Sequence, residues 1–224
     1  MFQIFEQCFT KDELKWFHND MQTLKLKNKK QDSLEKQYRD PSTHRWELPN
    51  NLKPNNISIN SVRKNITEKL LKLLPKHQIY FLAYSEQTKP SRLHCDSYGG
   101  QFGATCIIPL KEYGDGNDQT LVFDRLSKNG ETLFDISQKI KNEMLTSKPK
   151  NKNSRFYKLE HIIDNKKILN PCDWMDLLGV FPYKYGNMVA FDKRLLHCSN
   201  NWFATDNTRK HKDFIIIHTI VPNE

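Results

Sequence analysis

The amino-acid sequence predicts an α+β chain whose main body is a β-sandwich or jelly roll, with helices gathered at its N-terminal end. Two stretches before residue 75 repeat their apolar residues at three- and four-residue steps, the period of a helix face. From residue 79 the pattern changes to short β-branched and aromatic runs bounded by Gly, Pro, Asn and Asp, the pattern of strands and turns. Only 37% of the residues are hydrophobic, but Leu, Ile, Val and Phe number 57 of 224. That is about a quarter, above the roughly 20% below which chains stay disordered, so a core can form.

Taken in order, Thr10-Lys11-Asp12-Glu13 is a capping-box pattern, and Leu14, Phe17, Met21 and Leu24 follow at helical spacing, predicting a helix over 11–26. Residues 27–56 are polar and broken by Pro41, Pro49 and Pro54. They read as a connection with at most short pieces of structure, pinned to the body by Trp46 and Leu48. Ile59, Val62, Ile66, Leu70, Leu73 and Leu74, stopped by Pro75, predict a second helix over 58–74. Strands are expected at 79–84, 102–108, 119–123, 187–191 and 214–221. The long interval 125–185 contains a helical pattern at 131–145 and a polar tract, Thr146 to Ser154, expected to be a mobile loop. Its remainder, with Ile162, Ile163, Ile168, Trp174, Met175, Leu177 and Leu178, is apolar enough to fold back on the sandwich. One domain over 1–224 is expected: a helical part at 1–76, a β core at 77–124 and 183–222, and an insertion at 125–182. No internal repeat is present.

The charge, 35 Lys+Arg against 26 Asp+Glu for a net +9, invites a nucleic-acid partner. Lys and Asn alone make up 47 residues, dispersed along the chain, and no RNP, zinc-finger or helix-turn-helix pattern accompanies them. Nucleic acid is therefore a possible but disfavoured partner. No apolar run approaches a membrane span, and the start lacks the basic-then-apolar layout of a secretory signal, so a soluble, cytoplasmic protein is expected, with no membrane partner. Cys8, Cys95, Cys106, Cys172 and Cys198 form no C-x-x-C pair and are expected to be reduced thiols.

The chemistry concentrates in two segments. In Arg92-Leu-His94-Cys-Asp96, an imidazole and a carboxylate two residues apart on extended backbone point to one side and can reach one metal ion. In Tyr185 to Trp202, a Gly-containing turn and a short apolar strand lead to His197, which would supply a third ligand from a neighbouring strand. Two His and one carboxylate on one face leave three coordination positions open, which suits non-haem Fe(II) oxygenases. Arg209, twelve residues beyond His197, could hold a carboxylate in bidentate fashion. Cys95 and Cys198 each follow a ligand candidate directly and are assigned to packing. Thr105 could line the pocket, and Arg92 could meet substrate or flank the site. His18, His44, His77, His161, His211 and His218 read as surface or structural, and Asp173 and Asp176 as a solvated face.

With these residues in that order, the sequence resembles the Fe(II)/2-oxoglutarate-dependent dioxygenases, and in particular their prolyl-hydroxylase-like branch. The resemblance covers Tyr80–Asp124 and Tyr185–Val221, and includes Tyr84, ten residues before His94, where related hydroxylases carry a tyrosine that contacts the co-substrate. It implies a cupin-like double-stranded β-helix in which His94, Asp96 and His197 bind Fe(II) and form the catalytic centre. Arg209 would pair with the distal carboxylate of 2-oxoglutarate, Tyr84 would touch it, and O2 would be the second co-substrate. The implied reaction hydroxylates an unactivated C–H, favouring a peptidyl or free amino acid, with release of succinate and CO2. Lys210 and Lys212 compete with Arg209, since one residue of register changes which cation faces the pocket. The 101-residue separation of Asp96 and His197 exceeds what a compact hydroxylase core needs, and the 125–182 insertion accounts for it as a lid, a recognition element or decoration. Alternatives are a nucleobase-directed oxygenase, a cupin-type metalloenzyme without 2-oxoglutarate, and a non-catalytic β-sandwich binding module.

Overall fold

The computed structural model describes residues 1–28, 43–48, 57–87, 93–97, 102–111, 119–127, 142, 146, 161–163, 167–169, 172, 174–200 and 212–222. The first helix, α1 (Lys11–Asn28), starts where the capping box places it. Glu13 N–H donates to Thr10 Oγ1 at 3.2 Å, and Thr10 N–H donates to Glu13 Oε2 at 2.8 Å, so two otherwise orphaned donors are satisfied reciprocally. The second helix, α2 (Ile57–Leu73), carries Val62, Ile66 and Leu70 on its buried side.

Among the described residues, eleven strands accompany the helices: β1 (Phe2–Phe5), β2 (Thr43–Glu47), β3 (Gln78–Gln87), β4 (Ala104–Pro109), β5 (Gln119–Leu126), β6 (His161–Ile163), β7 (Lys167–Leu169), β8 (Leu177–Pro182), β9 (Met188–Asp192), β10 (Leu195–Ser199) and β11 (Lys212–Ile220). They form a six-stranded sheet in the order β1-β9-β4-β11-β3-β2, a three-stranded sheet β10-β5-β8, and the β6–β7 pair. Every pairing is antiparallel.

The larger sheet has two apolar faces because it is covered on both sides. Its outer face, with Leu82, Tyr84, Cys106, Ile108, Ile215 and Ile217, joins Leu14, Phe17 and Met21 of α1 and Val62, Ile66 and Leu70 of α2 in one cluster. Its inner face brings Ile107, Val189, Phe214 and Ile216 against Val122, Phe181 and Leu195 of the smaller sheet. The molecule is thus helices on a β-sandwich, mostly β, as the sequence pattern predicts. Cys95 and Cys198 lie with Leu121, Phe123 and Leu196 in a third cluster on the far side of the smaller sheet, in keeping with a packing role. All five cysteines are free.

Register sorts the inner face into rows. Phe191, Thr105, His218 and Phe81 follow one another across β9, β4, β11 and β3. Val189, Ile107, Ile216 and Ala83 form the next row, and Pro109, Phe214, Ser85 and Arg45 the one after it, now reaching β2. Lys212, opposite Gln87, begins the row beyond.

Several elements depart from the expectation. The segment Phe2–Phe5 pairs with β9, giving the larger sheet an edge strand within the part expected to be helical. The polar connection, expected to hold at most short pieces of structure and to be pinned by Trp46 and Leu48, contributes β2 to the opposite edge, and Leu48 just after it is buried and donates its N–H to Leu82 O at 2.9 Å. β8 comes from the segment assigned to the insertion, yet it pairs with β5 as an integral strand of the smaller sheet, so the core resumes before residue 183. Met175 and Trp174 fold back against this sheet as expected. The predicted helix at 131–145 and polar tract at 146–154 lie outside the described residues, apart from Asn142 and Thr146, which are helical.

Candidate metal centre

The segment carrying His94 and Asp96 runs beside β10. His94 N–H donates to His197 O at 3.0 Å and His197 N–H to His94 O at 2.8 Å, while Asp96 N–H donates to Lys193 O at 2.9 Å in the β9–β10 turn. Two backbone bonds and one turn contact thus bring together residues about a hundred positions apart. The ligand atoms of His94, Asp96 and His197 all lie within 4.8 Å of one another. His197 Nε2 is 3.2 Å from Asp96 Oδ2, and His94 Nε2 is 3.7 Å from Asp96 Oδ1. For metal–ligand bonds of about 2.1 Å, donors at right angles sit about 3 Å apart, so this spacing suits three adjacent positions on one ion.

The surroundings orient the three groups. His197 Nδ1 lies 3.0 Å from Leu195 O, a contact that orients the ring and turns Nε2 toward Asp96. Thr105 Oγ1 donates to Asp96 Oδ2 at 2.7 Å and lies 3.1 Å from His218 Nδ1. Burial alone would raise the Asp96 carboxyl, but the imidazoles of His197, His218 and His94 outweigh it and hold it well below its ordinary value. Burial likewise opposes protonation of His197, and Asp96 more than compensates, raising its pKa. In His218 burial prevails over Asp96 and the pKa falls.

Two residues that the sequence reading did not assign to the site lie at this end of the sandwich. His218, read as surface or structural, is buried beside Thr105. Tyr80 is the extra residue of a β-bulge opposite His218 and Thr219, so its ring and that of Phe81 both stack on His218, at 6.1 and 5.1 Å.

Tyr84 is a correction. Adjacent side chains of a strand face opposite ways, and Ala83 and Ser85 occupy the inner rows, so Tyr84 faces the helices. Its hydroxyl accepts from Gln22 Nε2 at 2.9 Å and lies 2.8 Å from Glu86 Oε1 and 3.2 Å from Asp213 Oδ1, across the sheet from the metal cluster. Arg209, Lys210 and Arg92 lie outside the described residues. Lys212 does face inward. It is fully buried, with its ammonium 3.7 Å from the centroid of the Tyr183 ring. Arg45 reaches the same interior from β2: its Nε is buried and its charge opposes protonation of both His197 and His218.

No family model matches the chain, and no curated protein matches it in sequence. Solved structures do match. HygX from Streptomyces hygroscopicus, with nickel, 2-oxoglutarate and hygromycin B bound, superimposes with a TM-score of 0.55 at 11% identity, over 98% of this chain and 82% of its own. SnoK, a non-haem α-ketoglutarate-dependent carbocyclase from nogalamycin biosynthesis, gives 0.52 at 14% identity over 98% and 79%. SnoN, a non-haem α-ketoglutarate-dependent epimerase from the same biosynthesis, gives 0.54 at 10% identity over 98% and 77%. The chain therefore has the fold on which these non-haem metal enzymes are built.

Proposed function

We propose that the protein is an Fe(II)- and 2-oxoglutarate-dependent oxygenase whose sandwich is a double-stranded β-helix, with His94, Asp96 and His197 as the metal ligands. The observation that carries this reading is the clustering of two imidazoles and one carboxylate on adjoining backbone at one end of the sandwich, inside a fold shared with enzymes solved with iron, nickel and 2-oxoglutarate. The donor set fits a facial triad that leaves three positions for a chelating keto acid and O2. Bound Fe(II) would supply the redox chemistry that converts 2-oxoglutarate and O2 to succinate and CO2 while placing one oxygen atom on a substrate C–H.

The chain's own residues would do the rest. Leu195 O and Thr105 Oγ1 hold the His197 ring and the Asp96 carboxylate in place before any ion arrives. Lys212, inward-facing and buried, would pair with the distal carboxylate of the co-substrate, a role for which the sequence favoured Arg209 and placed Lys212 next. The aromatic and aliphatic inner face, Phe191, Val189, Ile107, Phe214 and Ile216, excludes water around it. A peptidyl or free amino acid is the substrate class that the prolyl-hydroxylase-like pattern favours, and hydroxylation the outcome. The carbocyclase and epimerase among the similar structures make product analysis decisive, because only hydroxylation adds an oxygen atom to the substrate.

The test is anaerobic addition of Fe(II) and 2-oxoglutarate, reading the visible charge-transfer band of the chelated keto acid. The native protein should show the band and His197→Ala should lose it. Lys212→Met should raise the 2-oxoglutarate concentration needed by about tenfold or more, and Arg209→Ala should leave it unchanged. No band in the native protein would leave a binding module or another cupin-type metalloenzyme as the reading. The reverse result for the two cations would return the clamp to Arg209.

A further inference from the structure

Lys193 occupies the two-residue turn between β9 and β10 and is fixed at both backbone groups. Its N–H donates to Gly103 O at 3.2 Å, and its carbonyl accepts from Asp96 N–H at 2.9 Å. The residue is 1% exposed, which no snorkelling surface lysine would be. Its ammonium lies over the Tyr80 ring at 5.0 Å from the centroid. That ring stacks on His218, His218 meets Thr105, and Thr105 bonds Asp96, so the ammonium belongs to the same recess as the three candidate ligands.

A lysine buried there needs a counter-charge, because an ammonium withdrawn from water without one costs several kcal/mol. The nearby carboxylates, Asp192 and Asp96, favour its charged form from a distance but spend their hydrogen bonds on other groups. Asp192 gives both oxygens to Arg194, at 2.9 Å and 2.5 Å, and Asp96 is held by Thr105 and His197. Among the described residues the Lys193 ammonium makes neither a hydrogen bond nor an ion pair, and the Tyr80 face is its one close partner. A π face attracts a cation but does not neutralise it.

The neighbourhood also specifies what would sit beside the charge. Tyr80 is 48% exposed, and Phe102, next to the Gly103 that holds the Lys193 backbone, is 58% exposed. Arg194 lies over the Phe102 ring at 4.4 Å from its centroid and keeps that ring on the same rim. Two exposed rings flanking a buried ammonium make a place for a small molecule with an apolar or aromatic body and one negative group.

We infer that Lys193, flanked by Tyr80 and Phe102, forms a carboxylate-binding subsite beside the metal centre. This rests on the oxygenase reading for its meaning but not for its test. The carboxylate comes from the substrate, which would then be a carboxylic acid, or from 2-oxoglutarate, and the two sources separate experimentally.

The experiment compares benzoate with benzamide, equal in shape and different in charge, on the native protein, Lys193→Met and Lys193→Arg, all with unchanged melting temperatures. Calorimetry is run on the protein alone and with Fe(II) and 2-oxoglutarate under nitrogen, where the charge-transfer band is also followed. The native protein should bind benzoate about tenfold or more tightly than benzamide, Lys193→Met should abolish the preference, and Lys193→Arg should retain it. Unchanged 2-oxoglutarate affinity in Lys193→Met assigns the carboxylate to the substrate. A loss of about tenfold in 2-oxoglutarate affinity assigns it to the co-substrate, and either result supports the subsite. Equal binding of benzoate and benzamide, with 2-oxoglutarate indifferent to Lys193→Met, overturns it. Calorimetry without metal reports on Lys193 even in a protein that shows no band, so failure of the oxygenase reading is distinguishable from failure of the subsite.

Discussion

A threonine hydroxyl has one proton to give, and Thr105 gives it to Asp96 Oδ2 at 2.7 Å. The His218 nitrogen 3.1 Å from the same oxygen must therefore be the donor, which places a proton on His218 Nδ1. The chain His218 to Thr105 to Asp96 points one way and holds the carboxylate against rotation toward a bidentate posture. Removing such an outer partner costs roughly ten- to a hundredfold in metal affinity. Thr105→Val should show that loss in a Mn(II) or Co(II) titration, and Thr105→Ser should stay within about threefold of the native protein. Equal affinity for the valine variant would make the hydroxyl a packing group. His94 and Asp96 could be paired from sequence because a two-residue step on extended backbone fixes a shared side, and the structure brings His197 beside them. His218 was not legible, because in Phe-Ile-Ile-Ile-His-Thr-Ile both faces are apolar and nothing local says which one is lined with chemistry. Tyr84 failed for the same reason: counting ten residues back from His94 gives a position along the chain, while strand parity decides the face.

At the scale of elements, α1 is anchored through Glu13. Burial works against its ionisation, but Lys69 Nζ at 2.6 Å, the Thr10 N–H and Asn65 outweigh it and bring the pKa from 4.5 to about 2. A folded-state pKa below the unfolded one adds stability that is complete above about pH 4.5 and is lost as the pH falls toward 2. Glu13→Gln should therefore cost about 1–2 kcal/mol at pH 6, and its melting temperature should converge with the native one near pH 2. A gap unchanged over that range would show that the side chain acts by packing alone. Phe17, fully buried where α1 meets the sheet, should cost about 3–5 kcal/mol when replaced by alanine, read by denaturant unfolding. The helices were readable because capping and the 3.6-residue period are local signals. β1 and β2 were not: four residues and five, each defined by a partner far along the chain, Met188–Phe191 and Ala83–Gln87. β8 was hidden by its neighbours, since a strand closing a sheet across a long intervening segment carries no mark of the strand it pairs with.

For the whole molecule, the two sheets divide the labour. The smaller sheet supplies His197 on β10, the larger one supplies Thr105 and His218, and the segment with His94 and Asp96 bridges them. The site therefore tests the closure of the sandwich as a whole. Gly103 marks one place where that closure is tight: a Cβ there would overlap the Thr219 carbonyl oxygen, a backbone atom that cannot swing aside. Gly103→Ala should destabilise the fold by about 2 kcal/mol or more and weaken Mn(II) binding with it, since the same glycine's carbonyl holds the Lys193 turn. Native-like stability and metal affinity in that variant would show that the β4 and β11 ends can part without disturbing the centre.

The place of β11 in the larger sheet has a consequence for how the chain is made. This strand follows all the others in sequence, yet it lies between β4 and β3 rather than at an edge. Until it emerges from the ribosome, β3 and β4 present two bare backbone edges to each other and to any passing strand, a standing invitation to pair wrongly. Its arrival fills that slot in one step and delivers Lys212 and His218 to the interior while Asp213 takes its place opposite Glu86, where its carboxylate accepts from the Tyr84 hydroxyl. On the proposed reading, metal binding and solubility should thus appear late and together during synthesis, and stalled chains ending before residue 212 should be both metal-free and prone to aggregate.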